Sequence, residues 1–254
     1  MGFGERPQYD SQMTIARALL ARFPLLHRLE MRRRVVASRW TRGRVVARYV
    51  AGTAAPRLQI GTGQHVLDGW MNTDRWIYRR GRVMYLDARL PLPLPSESFA
   101  YVFTEHQIEH ITAAAAARML AECHRVLRPG GRIRIATPDR AWVESLAVPP
   151  LSADRQRYVA WMSAQLGLDA PDPAAVVEAM FSGIEAVPGA GHQCLYSFDT
   201  LRAALEGAGF RDVVRREMQW SDDPMLCGIE GHGAVVGDEE IARMETLLVE
   251  AVRP

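Results

Sequence analysis

Three groups of residues in this chain have types and spacings that can do chemistry. In LQIGTGQH, Gly61 and Gly63 follow a short apolar run, where they let the backbone turn tightly and leave amide groups able to face an anion. Asp74 in WMNTDRW and Asp87 in VMYLDARLPLPLP end the next two apolar runs. At the carboxyl edge of adjacent strands both would point into one crevice. One acid there can accept two ribose hydroxyls and the other an adenine amino group, so with the glycine turn they compose a nucleoside pocket. The third group, His106-Gln107-Ile108-Glu109-His110, spells His-x-x-Glu-His, the inverted zinc-peptidase order in which two histidines bind zinc and the glutamate activates water. On a helix, His106 and His110 would share a face. The segment opens directly after FAYVFT, however, which reads as a strand, and a third ligand such as Glu178 or Glu185 can be nominated only by distance.

The elements that must position these residues follow from periodicity. From Ser11 to Val50 apolar positions recur at helical spacing, with Pro24 dividing the run into two expected helices. After the small-residue linker AGTAAP come RLQIG, WMNTD, RVMYLD, FAYVFT and GRIRIATPD, short apolar runs of which all but FAYVFT end in Gly or Asp. These read as strands of a mostly parallel sheet. ITAAAAARMLAECHRVL is an alanine-rich helix stopped by Pro129, Gly130 and Gly131. Residues 138–192, with helices expected at 152–167 and 173–182, form an insertion placed to cover a site. The helix FDTLRAALEGAG, the strand FRDVVRREM, a last strand near GAVVG and a closing helix over DEEIARMETLLVEAV complete the expectation. The chain is thus expected to be one α/β domain. Residues 1–56 form a basic helical arm, 57–137 a cofactor-binding core, 138–192 a helical lid, and 193–254 the end of the sheet with the last helix.

Three stretches taken in order, LQIGTGQHVLDGWMNTD, LDARLPLPLPSESFAYVFTEHQIEHI and LAECHRVLRPGGRIRIATPD, resemble the S-adenosylmethionine-dependent methyltransferases with a Rossmann-like seven-strand sheet. The likeness is to the bacterial small-molecule group with a shortened first crossover, and it runs over roughly residues 57–233, through LYSFDTLRAALEGAGF. It implies a doubly wound, mostly parallel seven-strand sheet, with S-adenosylmethionine as donor and S-adenosylhomocysteine as product. By the same resemblance Ile60, Gly61, Thr62 and Gly63 would line the amino-acid end of the cofactor. Asp74 would hold the ribose, Asp87 and Ala88 would contact adenine, and Glu105 would lie near the sulfonium.

The chain departs from that family pattern in two places. Gln59 stands where many relatives carry an acid, and the segment from Gly63 to Asp74 is too short for a crossover helix. The N-terminal helices are expected to cover the face left bare. On this reading His106 is the candidate general base, an imidazole at a strand end with an ordinary pKa of about 6.5, and Glu109 or His110 would orient it. His192 and Tyr196, in GAGHQCLYSFDT, are candidate acceptor contacts. Trp220, Asp222, Asp223, Glu230 and His232 crowd a later loop with no spacing that marks a metal site, so no metal is expected.

Composition narrows the remaining classes. The chain has 254 residues and three well-separated cysteines, which fit neither a disulfide framework nor a zinc knuckle. No run is long and apolar enough for a membrane span, and no secretory leader is apparent, so a cytoplasmic location is expected. Every basic residue is arginine, and residues 1–50 hold eleven of them against three acids. That basic arm permits an RNA-directed reading, but its aromatics, Phe23, Trp40 and Tyr49, are few and scattered. A solvated helix face that packs on the domain, or a homo-oligomer contact through these helices, accounts better for it. A nicotinamide fingerprint is missing, since Val66 replaces the third small residue. Methyl transfer to a small-molecule oxygen or nitrogen is the resulting expectation. The rival readings are a cofactor binder without catalysis, an RNA-directed protein, and a zinc hydrolase acting through HQIEH.

Overall fold

The computed structural model describes residues 24–77, 81–182 and 191–254. The first of the two expected N-terminal helices and Glu185 lie outside the described residues. One 29-residue helix, α1 (Pro24–Gly52), precedes the sheet, with Pro24 at its first position, where the missing N–H costs no helical hydrogen bond.

Seven strands form one sheet: β1 (Arg57–Ile60), β2 (Met71–Asp74), β3 (Met84–Tyr85), β4 (Phe99–Glu105), β5 (Leu127–Pro138), β6 (Arg211–Arg216) and β7 (Thr246–Val252). Their order is β3-β2-β1-β4-β5-β7-β6, parallel from β3 through β5, with β7 antiparallel to both its neighbours. The order reverses between β1 and β4, the switch point at whose carboxyl ends open sheets of this kind place a ligand. The helices are α2 (Ala113–Val126), α3 (Arg140–Ser145), α4 (Ala153–Gln165), α5 (Pro173–Ser182), α6 (Phe198–Gly207), α7 (His232–Val236) and α8 (Glu239–Glu245).

Local signals explain most of these elements. The Thr112 hydroxyl caps α2 by accepting from Ala115 N, and Ala116, Met119, Leu120 and Cys123 recur at helical spacing to bury one face. A capping box of Ser197 and Thr200 starts α6. Residues 61–70 contain no helix, as the short connection requires. The expectation that the N-terminal helices cover the face left bare is corrected: α1 packs on the face that carries α2 and α6, where Val46 enters the main core and Tyr49 stacks on Phe99 with ring centroids 6.5 Å apart, whereas Leu67 and Trp70 of the connection pack with Phe103, Leu226 and Ile229 in a separate cluster. The Tyr49 hydroxyl donates to the carbonyls of Arg57 and Gly69 and accepts from Arg57 N, tying α1 to the start of β1 and to the loop before β2.

Two expectations at the carboxyl end are corrected. The expected closing helix breaks after Glu245, and its second half is β7; the expected strand near GAVVG is α7. Leu247, Leu248 and Val249 are all buried inside the sheet. A continuous apolar run of that length fits a central strand or a buried helix equally well until its neighbours are known. Helices α4 and α5 of the insertion join α3 and α8 in a second core around Tyr158, Met162, Val176 and Ile241.

Candidate active site

The glycine turn after β1 sits against the end of β2. Gly61 and Gly63 have φ of +73° and +52°, which glycine adopts without penalty. The amides of Gly61 and Thr62 both donate to Thr73 O, and Gly63 N donates to Asp74 Oδ2 at 2.8 Å. Those amides are therefore committed within the fold, which corrects the expectation that they stand free for an anion. Asp74 also accepts from Trp76 N at 2.7 Å. Burial raises its pKa even though these backbone N–H groups pull the other way. Asp87 is gripped bidentately by Arg89, at 2.8 and 2.6 Å, and that guanidinium holds its carboxyl below the ordinary range despite partial burial. Ala88 beside it is buried. Ile60 is buried in the main core under the turn.

The end of β4 meets the same turn. A Cβ on Gly61 would lie 2.3 Å from Gln107 Cγ, so only glycine lets the two segments touch. Glu105 accepts from Gly231 N at 3.0 Å, His232 N at 3.1 Å and His65 Nδ1 at 3.3 Å. Its carboxylate anchors the loop before α7 beneath the β4 end. Burial works to raise its pKa, but these contacts and the field of His106 outweigh that and hold it low. His106 has φ +44°, a conformation of higher energy for a residue with a Cβ, and one that collects at functional sites. Its ring stacks on His232, centroids 3.5 Å apart and 16° from parallel. Its Nδ1 lies 3.3 Å from Glu109 Oε1 and its Nε2 3.3 Å from Thr246 Oγ1. Desolvation would lower the His106 pKa, yet Glu109 beside it, with Glu245 and Glu105, pushes it above the ordinary value.

The segment Ile108–His110 is a single 3-10 turn. The helix that zinc-peptidase chemistry needs is therefore absent, and His106 and His110 do not share a helical face. His110 ends this turn and does not open α2. Glu109 is fully buried, and its Oε2 accepts from the Thr137 hydroxyl at 3.1 Å. Its backbone carbonyl accepts from Gln193 N and Cys194 N, which brings the segment after the insertion to the β4 edge. His192 arrives with that segment, its ring 5.1 Å from that of His110. Tyr196 is buried in the main core, pairing with Asp139, and burial together with Cys194 raises its phenol pKa.

The loop left unassigned by spacing divides by partner. Arg134, buried in β5, donates to Glu230 at 2.5 Å, to Glu250 of β7 and to the Trp220 carbonyl. Asp222 pairs with Arg216, and Asp223 accepts from Tyr101 at 3.0 Å. His232 Nε2 lies 2.8 Å from Glu245, which also accepts from Tyr158. Reading by spacing missed His65, Gln107 and the His232–Glu245 pair. Glu245 falls in the middle of the expected closing helix, and its place beside His232 depends on the break that starts β7.

Residues 71–135, from β2 into β5, match the family model of a methyltransferase domain. The sheet order, with its one reversed strand between β5 and β6, is the architecture that goes with that match. The match and the sheet order together make the chain similar to the S-adenosylmethionine-dependent methyltransferases of Rossmann-like fold. No curated protein matches the chain in sequence. Similar solved structures include a methyltransferase from Thermotoga maritima described as a possible histamine N-methyltransferase, at 16% identity over 86% of this chain and 96% of that one, TM-score 0.47. Others are S-adenosylmethionine-dependent methyltransferases from Archaeoglobus fulgidus (17%, 91% and 99%, TM-score 0.43) and Mesorhizobium loti (18%, 78% and 90%, TM-score 0.42).

The residues around the glycine turn have the chemistry to fit the amino-acid end of S-adenosylmethionine. Around it Gln59 Oε1, Thr62 Oγ1 and Gln107 Oε1 are buried without hydrogen-bond partners. Two carbonyl acceptors suit an ammonium group and a hydroxyl suits a carboxylate. Gln59 therefore still offers an acceptor where relatives carry an acid. Among the described residues no helix is long and apolar enough to cross a membrane.

Proposed function

We propose that this protein transfers a methyl group to a hydroxyl or amine of a small molecule held at the carboxyl ends of β1 and β4, with His106 taking the proton. The observation that carries the reading is the contact of Gly61 with Gln107, which sets the glycine turn, Asp74 and the His106 segment around one crevice. The donor, when bound, supplies an electrophilic methyl on a positive sulfur.

The chain's own residues do the rest. Ile60, Gly61, Thr62 and Gly63 hold the amino-acid end, Asp74 the ribose, and Asp87 with Ala88 the adenine. Buried Glu105 contributes negative charge beside the positive sulfur and holds the loop before α7 in place. Glu109 orients the His106 ring through Nδ1, as the third member of a nucleophile-base-orienter series does. His192 and Tyr196 contribute to the acceptor side, and the insertion α3–α5 shields it from water. A neutral His106 is the working form, so the carboxylates that raise its pKa place the gain in activity on the alkaline side.

The test uses S-adenosylmethionine carrying a labelled methyl group, incubated with the protein and a cell extract that is then divided into small-molecule, RNA and protein fractions. Label in the small-molecule fraction is expected. Label confined to RNA or protein overturns the acceptor assignment.

A further inference from the structure

We propose that Glu109, His110 and His192 form a binding site for a divalent transition-metal ion. One ligand atom from each residue lies within 4.8 Å of the others. His192 Nδ1 is 2.5 Å from the Met180 carbonyl and His110 Nδ1 is 3.5 Å from the Gly191 carbonyl. A carbonyl only accepts, so each Nδ1 carries the proton and each Nε2 keeps its lone pair. A backbone carbonyl on the far ring nitrogen is how metal-bound histidines are oriented. The two rings are tilted by 53° and are not stacked, which leaves room between them.

The third ligand is fixed from behind. Glu109 is fully buried, and Thr137 occupies its Oε2. Its Oε1 faces two imidazoles, His106 Nδ1 at 3.3 Å and His110 Nε2 at 3.9 Å. A fully buried carboxylate carries a large desolvation cost that a cation beside it offsets.

Two imidazoles and one carboxylate suit zinc or its first-row neighbours at bond lengths of about 2.0–2.1 Å. The His110 side chain is 35% exposed, so a fourth position opens to water. The neighbouring trio His106, His232 and Glu245 is a poorer site. Its two rings are stacked face to face, and Glu245 already accepts from both His232 and Tyr158. The proposed trio also differs from the zinc-peptidase reading, because Glu109 becomes a ligand and His106 does not. One partner comes from the 3-10 turn after β4 and the other from the end of the insertion, so a bound metal would clasp the insertion to the sheet edge.

Metal-free protein titrated with zinc in a calorimeter tests the site. One-to-one binding is expected, weakened at least about tenfold by His110→Ala and by His192→Ala and unchanged by His232→Ala. Titration of the same variants with S-adenosylhomocysteine reports whether each is folded. Cobalt added to the unaltered protein should give the intense visible bands of a low-coordinate site. Lack of one-to-one zinc binding, equal zinc affinity in folded His110→Ala and His192→Ala, or only the weak bands of hydrated cobalt would overturn the proposal.

Discussion

His106 is an imidazole whose surroundings favour its charged form while its proposed work needs the neutral one. His106→Ala should leave S-adenosylhomocysteine affinity unchanged and lower kcat by about 10²–10⁴-fold, the usual contribution of a positioned base, measured on the acceptor found by label transfer. In the unaltered enzyme kcat should rise with pH through an inflection above 6.5, and that inflection should vanish in the variant. Stability runs the other way. The folded pKa of His106 is raised, so its contribution is complete below 6.5 and fades as pH climbs through the folded value. The folded pKa values of Glu105, Glu109 and Glu245 are lowered, because their imidazole and N–H partners outweigh burial. Their contribution is complete above 4.5 and fades as pH falls through the folded values. The gap in urea midpoint between the unaltered protein and His106→Ala should be widest between pH 4.5 and 6.5 and narrow above it. On the cofactor side, Asp74→Ala should weaken S-adenosylhomocysteine binding about 10- to 100-fold, since a hydrogen bond to a charged group is worth about 1.5–3 kcal/mol. Calorimetry reads this directly. Asp87→Ala should weaken it less, because the Asp87 carboxylate is already shared with Arg89.

Elements answer to their neighbours. A connection of ten residues between β1 and β2 holds no helix and packs Leu67 and Trp70 with Phe103, Leu226 and Ile229, while α1 gives Val46 and Tyr49 to the main core. The Tyr49 hydroxyl serves three backbone groups at once. Tyr49→Phe should therefore cost about 1–3 kcal/mol in urea unfolding, the penalty for polar groups left unpaired, although the ring still packs on Phe99. Strand β7 shows the converse dependence. Arg134 of β5 lies opposite Glu250 of β7 in register, so the acid that reads as a polar position on a helix is a buried partner across two strands.

At the scale of the whole molecule, Arg134 joins β5, β7 and the loop that leads to His232. All three charged side chains are buried. Arg134→Ala would strand Glu230 and Glu250 without their cation and should cost about 3–5 kcal/mol of stability, measured by chemical denaturation. Because Glu230 lies two residues before His232, the same variant should also disturb the stacked pair at the site. Its loss of kcat should exceed what its loss of stability alone produces at a temperature where it remains folded.

Six of the seven strands were legible in the sequence as short apolar runs, four of them closed by Gly, Asp or Pro, and so were α2 and α6 with their Thr112 and Ser197 caps. The placement of the glycine turn, Asp74, Asp87 and His106 at strand ends was legible for a related reason, since a parallel sheet brings its strand ends to one edge. Tertiary structure alone decided the rest. Whether TLLVEAV is helix or strand depends on the two strands that flank it. Which partners Glu105 takes depends on the backbone amides of Gly231 and His232, brought to it by a loop far along the chain. The pairing of His110 with His192 and of His106 with His232 joins residues far apart in the chain, and no local spacing carries that information. Local pattern sets where the backbone turns, whereas a long-range contact exists only after the sheet has closed and excluded water.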